Sequence, residues 1–128
     1  MEKRLNILIL DDESIVGERL KAALQKDGYE VEIFLNPNKA LERISEKVFD
    51  IVVTDIRMDE MDGIQVLEKV QERSKTTKVI MITGYATIEV ARESLAKGAF
   101  DFIAKPFKIK ELRKTIKKAA ESLEQSSK

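Results

Sequence analysis

Asp11 and Asp12 stand side by side directly after an apolar run, "LNILIL", and Asp55 closes a second, "FDIVVTD". Thr83 closes a third, "KVIMIT", and Lys105 follows "AFDFIA". Adjacent carboxylates repel, and one member of such a pair has its pKa raised unless a cation is supplied. Three carboxylates against one ammonium leave two formal negative charges, which a divalent cation would neutralise. The donors on offer are carboxylates, backbone carbonyls and water. All-oxygen sets favour Mg²⁺, with Mn²⁺ a substitute, and Mg²⁺ keeps several waters. A metal, a lysine, a threonine hydroxyl and a spare carboxylate are the parts of a phosphoryl-transfer site. Asp55 would be the nucleophile, needing no general base because a carboxylate is already ionised at pH 7. Lys105 and Thr83 would stabilise charge on the equatorial oxygens as the group crosses. Gly84, without a side chain, would leave room for it.

Each residue alone has a plainer reading. Asp11 and Asp12 are also what a following helix favours at its N-terminus. Thr83 is also an ordinary strand-end hydroxyl, and Lys105 one solvated lysine among many. The combination points to chemistry, provided that the fold brings the four places together.

Composition narrows the field. Lysine plus arginine and aspartate plus glutamate stand at 23 each, so no strong overall field draws the chain to nucleic acid or membrane. The absence of cysteine removes disulfides and thiolate chemistry and fits a cytoplasmic location. The absence of histidine means that any imidazole phosphate carrier must come from another molecule. No apolar run approaches the roughly 20 residues of a membrane span. The lysine-rich last helix, "KIKELRKTIKKAAE", reads as a solvated face rather than a nucleic-acid surface.

The elements that must position these residues alternate along the chain. "LNILIL", "FDIVVTD" and "KVIMIT" are apolar on both faces, as buried parallel strands require. "YEVEIF" alternates, with Glu30 and Glu32 on one side, and reads as an edge strand. "AFDFIA" is the last strand. Between them lie amphipathic stretches at helical spacing. One is stopped by Gly28, one is started by Asn36 and Pro37, and one is stopped by Gly98. The final helix carries Ile109, Leu112, Ile116, Ala119 and Leu123 on one stripe. Five strands and five helices in alternation predict an α/β fold, a parallel sheet with helices on both faces. Such sheets bind ligands beyond the carboxyl ends of their strands, where all the singled-out residues lie.

With "DDE" at 11–13, "DIRM" at 55–58, "MDG" at 61–63, "TGYA" at 83–86 and "KPF" at 105–107, the chain resembles the receiver domain of two-component response regulators. The resemblance covers residues 4–122 and leaves 123–128 as a tail or linker root. It implies a flavodoxin-like, doubly wound (βα)5 three-layer sandwich with sheet order 2-1-3-4-5. It implies that Asp12, Asp55 and the backbone carbonyl of Arg57 hold the metal, with Asp11 acting through a bound water. Asp55 is then the phosphoacceptor, and Thr83 and Phe102 form the switch. Arg57 and Tyr85 flank the site and tune access of water, and the Lys105–Pro106 bond is a cis candidate. Asp59 stands where many relatives carry proline, which frees the loop and adds a charge near the metal rim.

On the same ground the implied role is a signalling switch, not an enzyme beyond its own aspartyl phosphorylation and dephosphorylation. The implied donor is a sensor histidine kinase or a phosphotransfer protein. The stretch "TGYATIEVARESLAKGAFDFIAKPF" is similar to receivers of the nitrogen-regulation type, whose ATPase and DNA-binding output domains would lie outside this chain. Either a partner or a second copy of the receiver, forming a homodimer through residues 87–122, would read the switch surface. Among rivals, a phosphatase of the haloacid dehalogenase type needs a second aspartate two residues after the nucleophile, where Arg57 stands. A flavin module wants a hydroxyl- and glycine-rich loop where "DDES" would repel the phosphate. A docking module without chemistry would have no need of the intact acidic set.

Overall fold

The computed structural model describes residues 4–56, 63–84 and 88–126. Strands and helices alternate: β1 (Asn6–Leu10), α1 (Ser14–Lys26), β2 (Glu30–Phe34), α2 (Pro37–Glu46), β3 (Ile51–Asp55), α3 (Gly63–Arg73), β4 (Lys78–Thr83), α4 (Ile88–Ala96), β5 (Asp101–Ala104) and α5 (Ile109–Ser126). The strands form one parallel sheet in the order β2-β1-β3-β4-β5. The chain therefore steps outward from β1 in one direction to β2 and in the other to β3. The carboxyl ends of β1 and β3 flank that reversal, where an open α/β sheet leaves a crevice.

Alternation along each central strand divides the core into two layers. Ile7 and Ile9, Ile51 and Val53, and Ile80 and Ile82 pack with Leu20, Leu24, Leu112 and Ile116 of α1 and α5. Leu8 and Leu10, Val52, and Val79 and Met81 pack with Ala40, Ile44, Leu67 and Val70 of α2 and α3. Both faces of the central strands are thus covered, which is why they read as continuous apolar runs. Burying each such leucine or isoleucine contributes about 1.5–3 kcal/mol. Among the described residues no helix is long and apolar enough to cross a membrane.

The punctuation works locally. The side chain of Asn36 accepts hydrogen bonds from the Asn38 and Lys39 amides at 2.8 and 3.2 Å, with Pro37 opening the helix. Gly28 ends α1 at φ +95°, a conformation a Cβ would strain, and the Tyr29 amide turns back to the Leu24 carbonyl. β2 is an edge, and its Glu32 is clamped from α2 by Arg43 at 2.8 Å and Lys47 at 3.1 Å. The last strand is shorter than "AFDFIA": the Ala99 amide is taken by the Ser94 carbonyl as α4 closes, so the first bond to β4 comes from the Phe100 amide to the Val79 carbonyl at 2.7 Å and paired residues start at Asp101. At the other end α5 runs on past residue 122 to Ser126, and Leu123 packs against the α1–α5 layer.

Candidate functional site

The strand pleat selects the side chains that meet. Asp11 continues the series Ile7, Ile9; Asp55 continues Ile51, Val53; Lys105 follows Ile103 by two residues. All three therefore project toward the α1–α5 side of the sheet's carboxyl rim. There the Lys105 ammonium donates a hydrogen bond to Asp55 Oδ2 at 2.7 Å and one to Glu13 Oε1 at 2.9 Å, and lies 2.9 Å from Asp11 Oδ2. Backbone bonds fix the bearings of these groups. The Lys105 amide donates to the Thr83 carbonyl at 2.7 Å and the Asp11 amide to the Phe34 carbonyl at 3.1 Å. The Ile56 amide donates to the Ile82 carbonyl at 2.9 Å, and the Thr54 hydroxyl to the Asp55 carbonyl at 3.0 Å.

The residues expected at one rim are at one rim. Asp11, Thr83 and Asp55 are buried, Lys105 is nearly so, and Asp12 is exposed. The Lys105–Pro106 bond is cis. Among the described residues, a Cβ on Gly84 would meet nothing within 4 Å, which leaves space beside Thr83. Thr83 and Phe102 share the opposite pleat. Thr83 continues Val79 and Met81, Phe102 pairs with Met81, and its ring packs on the α2–α3 layer. Arg57, Asp59 and Tyr85 lie outside the described residues, so the backbone carbonyl of Arg57 and the loop around Asp59 are not placed.

Glu13 is the residue that sequence reading passed over. Its carboxylate lies with those of Asp11, Asp12 and Asp55 in one group, ligand atoms within 4.8 Å of one another. The cluster therefore holds four carboxylates against one ammonium. Only its place in the run "DDES" hinted at this, and a third acid there reads equally as helix-start composition.

Electrostatics and geometry suit the cluster to a divalent cation. Burial pushes the Asp11 carboxyl up from its ordinary value, and Lys105 pulls it only part of the way back. Burial works against the Lys105 charge, yet Asp55, Asp11 and Glu13 outweigh it and hold the amine above the ordinary lysine range. Asp11 Oδ2 is fully enclosed and, despite its closeness to the ammonium, receives no hydrogen bond among the described residues. The one ammonium is shared among three carboxylates, which leaves this buried one under-compensated. With one carboxylate oxygen each from Asp11, Asp12, Glu13 and Asp55 lying close together, a hard divalent cation fits the site. Beside the cluster a groove of about 460 Å³ opens, lined in part by Glu13, Val16, Gly84, Lys105, Pro106 and Phe107.

A family profile for the response regulator receiver domain matches residues 7–117. The chain belongs to that family. The receiver is 38% identical over 117 residues to the transcriptional regulatory protein ZraR of Klebsiella oxytoca, covering 91% of this chain and 26% of ZraR. It thus spans about a quarter of the length of that curated relative. A CheY-like receiver domain protein from Methanospirillum hungatei JF-1 superposes with a TM-score of 0.92 at 34% identity, covering 97% of this chain and 99% of the other. The beryllofluoride-activated NtrC4 receiver domain dimer follows at a TM-score of 0.87 and 32% identity, covering 92% and 98%. The fold expectation, a flavodoxin-like sandwich in the order 2-1-3-4-5, and the receiver resemblance both hold.

Proposed function

We propose that the receiver is a phosphorylation-controlled switch whose phosphoacceptor is Asp55. The observation that carries this reading is the Lys105 ammonium seated 2.7 Å from Asp55 Oδ2 and 2.9 Å from the buried Asp11 Oδ2, with the carboxylates of Asp12 and Glu13 in the same cluster. An Asp55 oxygen forms the new bond to phosphorus while the bond from phosphorus to a donor imidazole breaks, its electron pair leaving with the ring. This chain has no histidine, so the donor belongs to another protein, a sensor histidine kinase or a phosphotransfer protein. Asp12 and Asp55, and by the family resemblance the backbone carbonyl of Arg57, would hold Mg²⁺, or Mn²⁺ in its place, with Asp11 contributing through water. The bound ion supplies compensation for the negative charge that gathers on the phosphoryl oxygens. Lys105 keeps one donor on the acceptor and offers another to a phosphoryl oxygen, and the Thr83 hydroxyl offers a third hydrogen bond.

Phosphorylation shifts the conformational balance because Thr83 and Lys105 contact the phosphoryl oxygens in one state and not in the other. Thr83 and Phe102 share a face of neighbouring strands, the face on which Val90 of α4 packs, so the change is felt first by α4 and β5. A second receiver, packed through residues 87–122, or an output domain of the ATPase or DNA-binding kind reads that surface; the activated NtrC4 receiver is a dimer by its description. The receiver comprises residues 4–122 together with the last turn of α5, acts in the cytoplasm, and catalyses no reaction beyond the gain and loss of its own phosphoryl group. Incubation with acetyl phosphate and Mg²⁺ should add one phosphoryl group to the intact mass, and Asp55→Asn should abolish the increment. Undiminished addition to Asp55→Asn would remove Asp55 as the acceptor.

A further inference from the structure

Glu13 breaks a local rule of helix construction. It occupies the N-cap of α1, where Ser, Thr, Asp or Asn would accept a hydrogen bond from the first turn, and its side chain makes no such bond. Instead the carboxylate reaches Lys105, 92 positions away in sequence, at 2.9 Å. A forgone cap beside a working site calls for a functional reason. The Lys105 ammonium has three protons and three carboxylates around it, at 2.7, 2.9 and 2.9 Å. Asp11 and Asp55 are buried, with side chains 0% and 7% exposed, and cannot withdraw. Glu13 is 60% exposed and can swing into solvent.

We propose that Glu13 is a positioning residue that occupies Lys105 in the resting receiver and yields its place to a phosphoryl oxygen when Asp55 is phosphorylated. The inference rests on the phosphoacceptor reading of Asp55. Glu13 biases the resting state without taking part in bond making, because the contact it makes with Lys105 is one that the phosphorylated state gives up. Only an interaction that differs between the two states can shift the balance between them. Removing the contact therefore speeds acceptance of the group and leaves the phosphorylated protein nearly untouched.

Glu13→Gln and Glu13→Ala test this; neither deletes a cap hydrogen bond, so folding is spared. At saturating Mg²⁺ both variants should be labelled faster than the native chain, roughly two- to five-fold, the range of a half-exposed ion pair. The gain should be alike with acetyl phosphate and with phosphoramidate, which differ in charge. The lifetime of the aspartyl phosphate should stay within about twofold of native. Labelling rates that are unchanged or lower would overturn the proposal. A gain confined to the more highly charged donor would overturn it too, since it would show Glu13 merely repelling anions at the groove mouth. A lifetime that changes as much as the labelling rate would show that Glu13 also acts on the phosphorylated state. Failure of the native chain to be labelled at all would strike the reading of Asp55 instead.

Discussion

At Gly63 the first turn of α3 is pressed onto the strand that carries Asp55. A Cβ there would fall 2.5 Å from the Asp55 carbonyl oxygen and 2.8 Å from the Ile56 Cα, both backbone atoms that cannot step aside. The Gly63 amide donates to the Ile56 carbonyl at 2.7 Å, closing the loop that leaves β3. Gly63→Ala should therefore cost about 1–3 kcal/mol, by overpacking against backbone. It should also slow labelling of Asp55, because relief requires the β3 terminus to move. Urea melts and labelling rates check the two effects. Full stability with native labelling would show that α3 relaxes freely. At this scale the sequence was generous with chemistry and poor in contacts. The types and spacing of Asp11, Asp55 and Lys105 announced a cation-seeking cluster, since few other arrangements tolerate adjacent acids. The bond from Glu13 to Lys105 spans most of the chain, and no local pattern encodes it.

Between elements, α1 and α5 are tied by a two-pronged pair, Arg113 to Asp27 at 2.6 and 2.8 Å. Arg113 holds the Asp27 carboxyl below its ordinary value of 3.8, with Lys117 assisting. A carboxyl depressed in the folded state adds stability above its unfolded pKa and loses it as pH falls through the lower folded value. Arg113→Ala should thus lower stability at neutral pH only slightly, since solvent screens both partners. The native and variant curves should converge well below pH 3.8. Thermal melts at both pH values test this, and a constant gap would assign the loss to packing of the arginine stem. Element identity was legible because helix stops at Gly28 and Gly98 and the start at Asn36–Pro37 carry their own backbone chemistry. Strand ends were less so. Residues 49 and 50 are apolar and polar in the pattern of β3, yet pairing starts at Ile51. At Ala99 the closing of α4 competes with the ladder for the amide.

For the whole molecule, four clustered carboxylates with one ammonium among them concentrate negative charge at the sheet rim. A cation that binds the folded chain and not the unfolded one must raise stability by mass action. Mg²⁺ at a hundred times its dissociation constant should add about 2.7 kcal/mol. Asp12→Asn should remove most of that gain. Melting temperature against Mg²⁺ concentration reads the effect directly, and a native chain indifferent to Mg²⁺ would deny that the cluster is a metal site. The topology was legible as a class from strict alternation, and the receiver motifs narrowed it to one strand order. The convergence itself belongs to the fold, because residues 11, 55 and 105 become neighbours only when β1, β3 and the end of β5 are laid in register. The most direct test of the central claim is to treat the receiver with acetyl phosphate and Mg²⁺, reduce with borohydride, and map the peptides by mass. Reduction of an aspartyl phosphate leaves homoserine, and the account predicts homoserine at position 55 alone, and none when the metal is chelated. Homoserine at another aspartate, or undiminished conversion without metal, would contradict it.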